Sequence, residues 1–280
     1  MAWSAWQNGS AHDFKDILYE KHHMSETGAG IARLTINRPT KLNSFTNETL
    51  REMNLAFENA SHDRMIGAVV IQGMGDRAFS SGGDVGYETT ETYHYWFYYS
   101  VAVQRMLRMC RKPVIAAVRG YAIGGGNHLA YSCDFTIAAD NAVFGQNGPR
   151  VASPADGYYV AYLTRVVGAK KAREMWMLCR RYNAQQALEM GLVNQVVPLA
   201  QLDEAVDKWA EEILDKDPAC IEILKATFDA EIAQLEGGVG TQGTWSNLMY
   251  PNHFEAPSTK EAQQAFLEKR KPDFWKFRKS

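Results

Sequence analysis

The chain has 280 residues, 46% of them hydrophobic and 22% charged, which describes a globular protein with material for a large core and excludes a disordered one. Its 30 basic and 32 acidic residues leave a net charge of −2, so neither nucleic acid nor an anionic membrane is expected as the main partner. Cys110, Cys133, Cys179 and Cys220 are scattered and form no CxxC pair; no metal site is expected from them, and such usage fits a reducing compartment.

The opening stretch MAWSAWQNGSAHDFKD is polar and does not read as a signal peptide, and no stretch reaches the ~18 apolar residues of a membrane span. A cytoplasmic location is therefore expected. In chain order, residues 1–27 read as a leader. GIARLTINRP places Ile31, Leu34 and Ile36 ahead of Arg38-Pro39 and predicts a strand. TNETLREMNLAFENASHD carries Leu50, Met53, Leu55, Ala56 and Phe57 near helical spacing, with Thr46 or Asn47 as its cap. IGAVVIQG is a short apolar run bounded by glycine, the pattern of a strand buried on both faces.

A helix is predicted from about Tyr98 to Arg111, a second buried strand in KPVIAAVRG, a helix in GGNHLAYSC and a third strand in CDFTIAAD. Strand and helix in alternation require crossovers and a mostly parallel sheet. Beyond Gly168 the pattern is helical: AKKAREMWMLCRR, AQQALEMG and QLDEAVDKWAEEILDKD space apolar residues by three and four, and a helical tail ends in EAQQAFLEKRKPDFWKFRKS. The expected architecture is an α/β core over residues 28–200 followed by a helical region over 201–280.

Two glycine clusters follow buried strands: SSGGD, from Ser80 to Asp84, and IGGGN, from Ile123 to Asn127. Glycine lets backbone approach a ligand and leaves N–H groups bare at a helix start. Two such clusters can aim two N–H groups at one carbonyl oxygen, as an oxyanion hole does; two tight turns are the plainer reading. Neither cluster is GxGxxG, and GxxxxGK[ST] is absent, so phosphate-loop chemistry is not indicated.

AFSSGGD, then PVIAAVRGYAIGGGNHLAYSCDFTIAADNAVFGQ, then VGAKKAREMWMLCRRYNAQQALEMGLVNQVVP together resemble the crotonase (enoyl-CoA hydratase/isomerase) superfamily over nearly the whole chain. Within it, FGQNGPRV, KKARE and KRKPDFWKF most resemble the branch that holds 1,4-dihydroxy-2-naphthoyl-CoA synthase and 2-ketocyclohexanecarboxyl-CoA hydrolase. The resemblance implies a spiral of ββα units, self-association as a trimer or dimer of trimers through the C-terminal helices, an acyl-CoA substrate and no cofactor beyond the coenzyme A of that substrate. It places the oxyanion-hole amides at Gly83 and Gly125, where one lost donor typically costs on the order of 3 kcal/mol of transition-state stabilisation.

The two glutamates of the family's hydratases fall here on His128 and Gly148, so their paired-carboxylate mechanism is not expected in its usual form. Three residues are candidates for proton transfer. His128 occupies a catalytic slot of the family and titrates near neutrality, or else is a helix histidine packed against the sheet. Asp156, in SPADGYY, matches an aspartate of dienoyl-CoA isomerases and aryl-CoA dehalogenases, or else caps the following helix. Ser153 matches a serine of the naphthoate-synthase branch, or else is a turn residue. That branch's own aspartate falls on Ala155, its basic loop after GGD is missing, and its C-terminal tyrosine is replaced by Phe254.

Substrate contacts follow from the same resemblance. Lys41, Leu42 and Ser81 match the coenzyme A side, and Gln146 and Gly148 match a bicarbonate site of some synthases. Tyr87 and Trp96 belong to an aromatic segment, residues 87–99, over the acyl pocket; its other reading is core or subunit packing. Aromatic walls suit a flat or cyclic acyl group. The expected reaction is water addition to such a thioester, either hydration or hydrolytic opening of a β-keto ring. Carbon–carbon bond formation, double-bond isomerisation and a non-catalytic coenzyme A-binding role are the alternatives.

Overall fold

The computed structural model describes residues 3–88, 94–241 and 244–278. The chain forms two compact units, Met1–Phe144 with Tyr182–Glu231, and Gly145–Arg181 with Ile232–Ser280. The first unit is α/β. The strands of the chain are β1 (Gln7–Asn8), β2 (Ile17–His23), β3 (Gly30–Ile36), β4 (Ile66–Gly73), β5 (Ala78–Ser80), β6 (Val114–Val118), β7 (Tyr121–Ile123), β8 (Phe135–Ala139), β9 (Val143–Gly145), β10 (Arg181–Asn183) and β11 (Gln195–Val197). A seven-stranded sheet runs β1-β2-β3-β4-β6-β8-β11 and a four-stranded one β10-β9-β7-β5. From β3 to β11 the large sheet is parallel, and β1 and β2 add to it antiparallel.

The helices are α1 (Asn47–His62), α2 (Val85–Glu88), α3 (His94–Met109), α4 (Gly125–Ser132), α5 (Tyr158–Val167), α6 (Ala169–Leu178), α7 (Ala184–Glu189), α8 (Leu202–Leu214), α9 (Pro218–Val239), α10 (Thr244–Met249) and α11 (Pro257–Leu267). None in the described residues is long and apolar enough to cross a membrane. Strand alternation explains how they cover the sheet. Ala68 and Val70 of β4, Ile115 and Ala117 of β6, and Ile137 and Ala139 of β8 join Leu202, Ala205, Val206 and Ala210 of α8 in one buried cluster. The intervening residues Val69 and Ile71 are buried as well, and α1, with Met53 and Phe57 inaccessible, packs on β2, β3 and β4. Each of the larger of these side chains, from valine to phenylalanine, contributes about 1.5–3 kcal/mol by leaving water, and each alanine less.

Thr46 caps α1 in a box with Thr49, and both hydroxyls donate to the Asp16 carboxylate, at 2.9 and 2.5 Å. One turn on, the fully buried Glu52 accepts the amides of Lys15, Asp16 and Ile17 at 2.7, 2.8 and 3.2 Å. These bonds tie residues 15–17 to α1, and β2 then pairs with β3 along its whole length. The stretch read as a leader therefore contains a strand. Only Ile17 and Tyr19 give β2 an apolar alternation; His22 is buried because its ring stacks on Trp3 and Trp6, at 4.2 and 3.6 Å.

In the second unit α5 and α6 follow one another through Gly168, at φ +77°, and the amide of Tyr158 at the head of α5 donates to the Gly240 carbonyl at 2.9 Å. The C-terminal end is fastened by Glu261, which accepts from Arg270, from the Asp273 amide and from Lys276.

Candidate active site

In the first unit β5 and β7 lie side by side and parallel, Ala78 opposite Tyr121 and Ser80 opposite Ala122. Their exits carry the two glycine clusters, which are thereby brought together. The first cluster is held by the segment around Phe45: Ser81 N donates to Leu42 O at 3.0 Å, Phe45 N to Gly82 O at 2.8 Å, and Asp84 N to Phe45 O at 2.9 Å. The buried Ser80 hydroxyl donates to Asn43 O at 2.7 Å and accepts Gly82 N at 3.1 Å. Gly82 has φ +89°, a conformation that favours glycine.

The second cluster turns from β7 into α4 at Gly124, with φ +57°. A Cβ on Gly126 would stand 2.1 Å from Ser80 O, so the helix start lies directly on the end of β5. A Cβ on Gly125 would stand 3.1 Å from Gly82 Cα and 3.6 Å from Gly83 N. Neither the Gly83 nor the Gly125 amide has a hydrogen-bond acceptor among the described residues. Two bare backbone donors side by side can receive one ligand oxygen.

Around them, Leu42 (φ +51°) accepts from the Ser81 amide, while Lys41 is exposed at the end of a 3-10 turn. Tyr87 is half-buried on α2, its amide donating to Asp84 O at 2.9 Å. Trp96 falls on α3, but its side chain lies outside the described residues. His128 is half-buried in the first turn of α4, its amide on Gly124 O at 3.0 Å and its ring 5.8 Å from that of Tyr131.

The remaining candidates belong to the second unit. Gln146 is inaccessible to solvent and neither polar atom of its side chain has a partner among the described residues, a costly state for a buried amide unless something polar occupies the space beside it. Gly148 and Ser153 are brought together: Ser153 N donates to Gly148 O at 3.1 Å, and a Cβ on Gly148 would stand 2.5 Å from Ser153 O. With the loop folded this way no acidic side chain fits at position 148.

Asp156 does not cap α5. Gly157, at φ +81°, takes that place with no side-chain bond, and Asp156 Oδ2 accepts the Ser246 amide at the start of α10, at 2.7 Å. Asp156 lines a cleft of about 850 Å³, whose other walls include Trp245, Met249, Tyr250, His253 and Phe277. His253 is held by the carbonyl of Ala152, 2.9 Å from its Nε2, and its ring meets that of Phe254 edge-on at 5.5 Å. Trp245, Tyr250 and His253 are not anticipated by the sequence reading, which takes only Phe254 from TWSNLMYPNHF. The crowding of aromatic residues in that segment is the signal that points to them.

A family model described as Enoyl-CoA hydratase/isomerase matches residues 26–277. Among solved structures, the chain is similar to an enoyl-CoA hydratase from Mycobacterium avium subsp. paratuberculosis K-10, at 25% identity and TM-score 0.79 over 94% of this chain and 99% of that one. It is similar to an enoyl-CoA hydratase/carnithine racemase from Magnetospirillum magneticum, at 29% identity and TM-score 0.71 over 94% and 96% of the two chains. A monofunctional enoyl-CoA isomerase from M. smegmatis is 31% identical with TM-score 0.64, over 78% of this chain and 94% of that one.

Proposed function

Since the chain belongs to the enoyl-CoA hydratase/isomerase family, we propose that it is an acyl-CoA enzyme that holds a thioester carbonyl between the Gly83 and Gly125 amides and adds water to a flat or cyclic acyl group. The observation that carries the reading is the nearness of those two backbone segments together with the absence, among the described residues, of an acceptor for either amide. Negative charge gathers on the thioester oxygen as an enolate forms, so donors already in place favour the transition state over the ground state.

Proton transfer is assigned to Asp156, with His128 or Ser153 assisting. Its support is the family resemblance, the place of Asp156 in a cleft with aromatic walls and the lack of room for an acid at position 148. Hydration of a double bond and hydrolytic opening of a β-keto ring both suit a flat acyl group. A second reading, carbon–carbon bond formation as in the naphthoate-synthase branch, is favoured by one observation: the buried, unpartnered side chain of Gln146, which suits a small polar ligand. Self-association is proposed on the same resemblance and is supported by the exposed Ile223, Leu224 and Phe228 of α9.

The test is to incubate the protein with a panel of cyclic, aromatic and straight-chain acyl-CoA thioesters and weigh the products. A gain of one water supports the lead reading, a loss of one water supports ring closure, and unchanged mass with a moved double bond means isomerisation. Binding without conversion leaves a non-catalytic member. Asp156→Asn should lower turnover at least about 100-fold; full turnover on every accepted thioester would remove Asp156 from the mechanism.

A further inference from the structure

Gly82 and Gly83 are adjacent, and a pair of glycines has little intrinsic preference for one backbone conformation. An amide there keeps its aim only if neighbours hold it. Two backbone bonds to Phe45 flank Gly83, and the residue after it, Asp84, is gripped at both carboxylate oxygens. Oδ1 accepts the Gly86 amide at 3.2 Å, while Oδ2 accepts Arg38 Nη2 at 3.0 Å and the Ser44 hydroxyl at 3.2 Å. Arg38 also donates from Nη1 to Ser44 O at 2.5 Å, and its Nε lies 3.6 Å from Asp16 Oδ2.

Asp16 is the carboxylate that the capping threonines of α1 hold. A path therefore runs from the start of α1 by hydrogen bonds to Asp16, by an ion pair to Arg38, and by hydrogen bonds on to Asp84, the residue after Gly83. The side chains of Arg38 and Asp84 are only 17% and 15% exposed, so water screens this pair far less than a surface pair. Burial pushes the Asp84 carboxyl up, but the hydrogen bond and charge of Arg38, with the bonds from the Tyr87 amide and the Ser44 hydroxyl, together outweigh it and hold the group below the ordinary carboxylate range.

We propose that Arg38 is a positioning residue: by gripping Asp84 it fixes the Gly83 amide in the orientation that receives the thioester oxygen, an inference that rests on the Gly83–Gly125 reading above. A planar guanidinium suits the task, because its fork bonds Asp84 and Ser44 at once and a lysine ammonium lacks that geometry.

The experiment uses the full chain with Arg38→Ala, Arg38→Lys and Asp84→Asn. Three readouts are taken: kcat and KM on the best thioester of the panel, melting temperature, and the infrared carbonyl stretch of bound carbon-labelled acetyl-CoA. In the unaltered protein the bound carbonyl stretch should fall relative to free acetyl-CoA. If it does not, the oxyanion-hole reading itself fails, and this inference with it. Given that shift, Arg38→Ala should lose most of it and lose about 10- to 100-fold in kcat with KM little changed; added guanidinium should restore part of both. Arg38→Lys, which keeps the charge and the bulk, should keep the melting temperature and still lose kcat. A drop in melting temperature with kcat and carbonyl shift intact in Arg38→Lys and Asp84→Asn would make the clamp merely structural and overturn the proposal.

Discussion

Gly82 stands so near Gly125 that a Cβ on Gly82 would lie 2.6 Å from the Gly125 nitrogen. The two glycine clusters thus form one surface, and each glycine on it answers a different constraint. Gly125→Ala would place a methyl 3.6 Å from the Gly83 nitrogen, in the space where an oxygen must sit, yet alanine is a better helix former than glycine. Its methyl also stands 3.1 Å from Gly82 Cα, so the first cluster must give by a few tenths of an ångström; the variant should fold with a modestly lower melting temperature and lose about 100- to 1000-fold in kcat/KM. Gly126→Ala drives a methyl to 2.1 Å from Ser80 O and should instead lose folded protein. Calorimetry and kinetics on the pair separate the two roles; a fully active Gly125→Ala enzyme would refute the oxyanion hole.

The cleft of the second unit makes a claim about substrate shape. Trp245 and Tyr250 form part of its wall and are 46% and 65% exposed, so truncating them costs little stability. Trp245→Ala and Tyr250→Ala should raise KM for aromatic and cyclic thioesters about 10-fold, the worth of one good aromatic contact. KM for acetyl-CoA or crotonyl-CoA should stay within a factor of two or so. Equal losses on every thioester would place the acyl group elsewhere.

Lys225 of α9 is 7% exposed, and its ammonium donates to Asp134 Oδ2 at 2.5 Å and to Lys112 O at 3.0 Å. Asp134 Oδ2 also accepts the Val114 amide at 2.7 Å, where β6 begins. Asp134 is partly open to water, its side chain 26% exposed, so removing the cation costs less than in a fully buried pair, on the order of 1–2 kcal/mol. Lys225→Met should lower stability by that order in urea unfolding, and Asp134→Asn added to it should recover part of the loss. A double variant as weak as the sum of the two singles would show that the pair does not interact.

How far the sequence discloses this molecule depends on the range of each interaction. IGAVVIQG coincides with β4, Ile66–Gly73, because a strand buried on both faces writes its burial into adjacent residues. Thr46 is legible as a cap because its partner Thr49 is three residues away. The glycine clusters are legible because close backbone contact admits no other residue. The Arg38–Asp84 grip spans 46 residues and the Asp156 bond to the Ser246 amide spans 90; neither has a local signature, so the sequence leaves Asp156 between a catalytic role and a helix cap, and only the cap is removed by the structure. The strand β2 is hidden for a like reason, since the burial of His22 is made by Trp3 and Trp6 from another segment.

Asp229 of α9 gives a pH dependence with a definite sign. Its Oδ2 is buried and without a hydrogen-bond partner among the described residues; burial, with Asp134 adding to it, pushes its pKa from 3.8 to about 6 against the attraction of Lys225 and Arg108. A carboxyl whose folded pKa lies above its unfolded one is penalised when it ionises. Below about pH 4 it is protonated in both states and no penalty applies; the penalty grows as pH rises and is complete above about pH 6. A shift of that size corresponds to roughly 3 kcal/mol, and on the order of 1–2 kcal/mol once its partial exposure is allowed for. Asp229→Asn should therefore stabilise the protein at pH 8 by about that amount and leave it unchanged near pH 4. Melting temperatures of both proteins across this range check it, and a stabilisation that is equal at both ends would mean that the gain comes from something other than the buried charge.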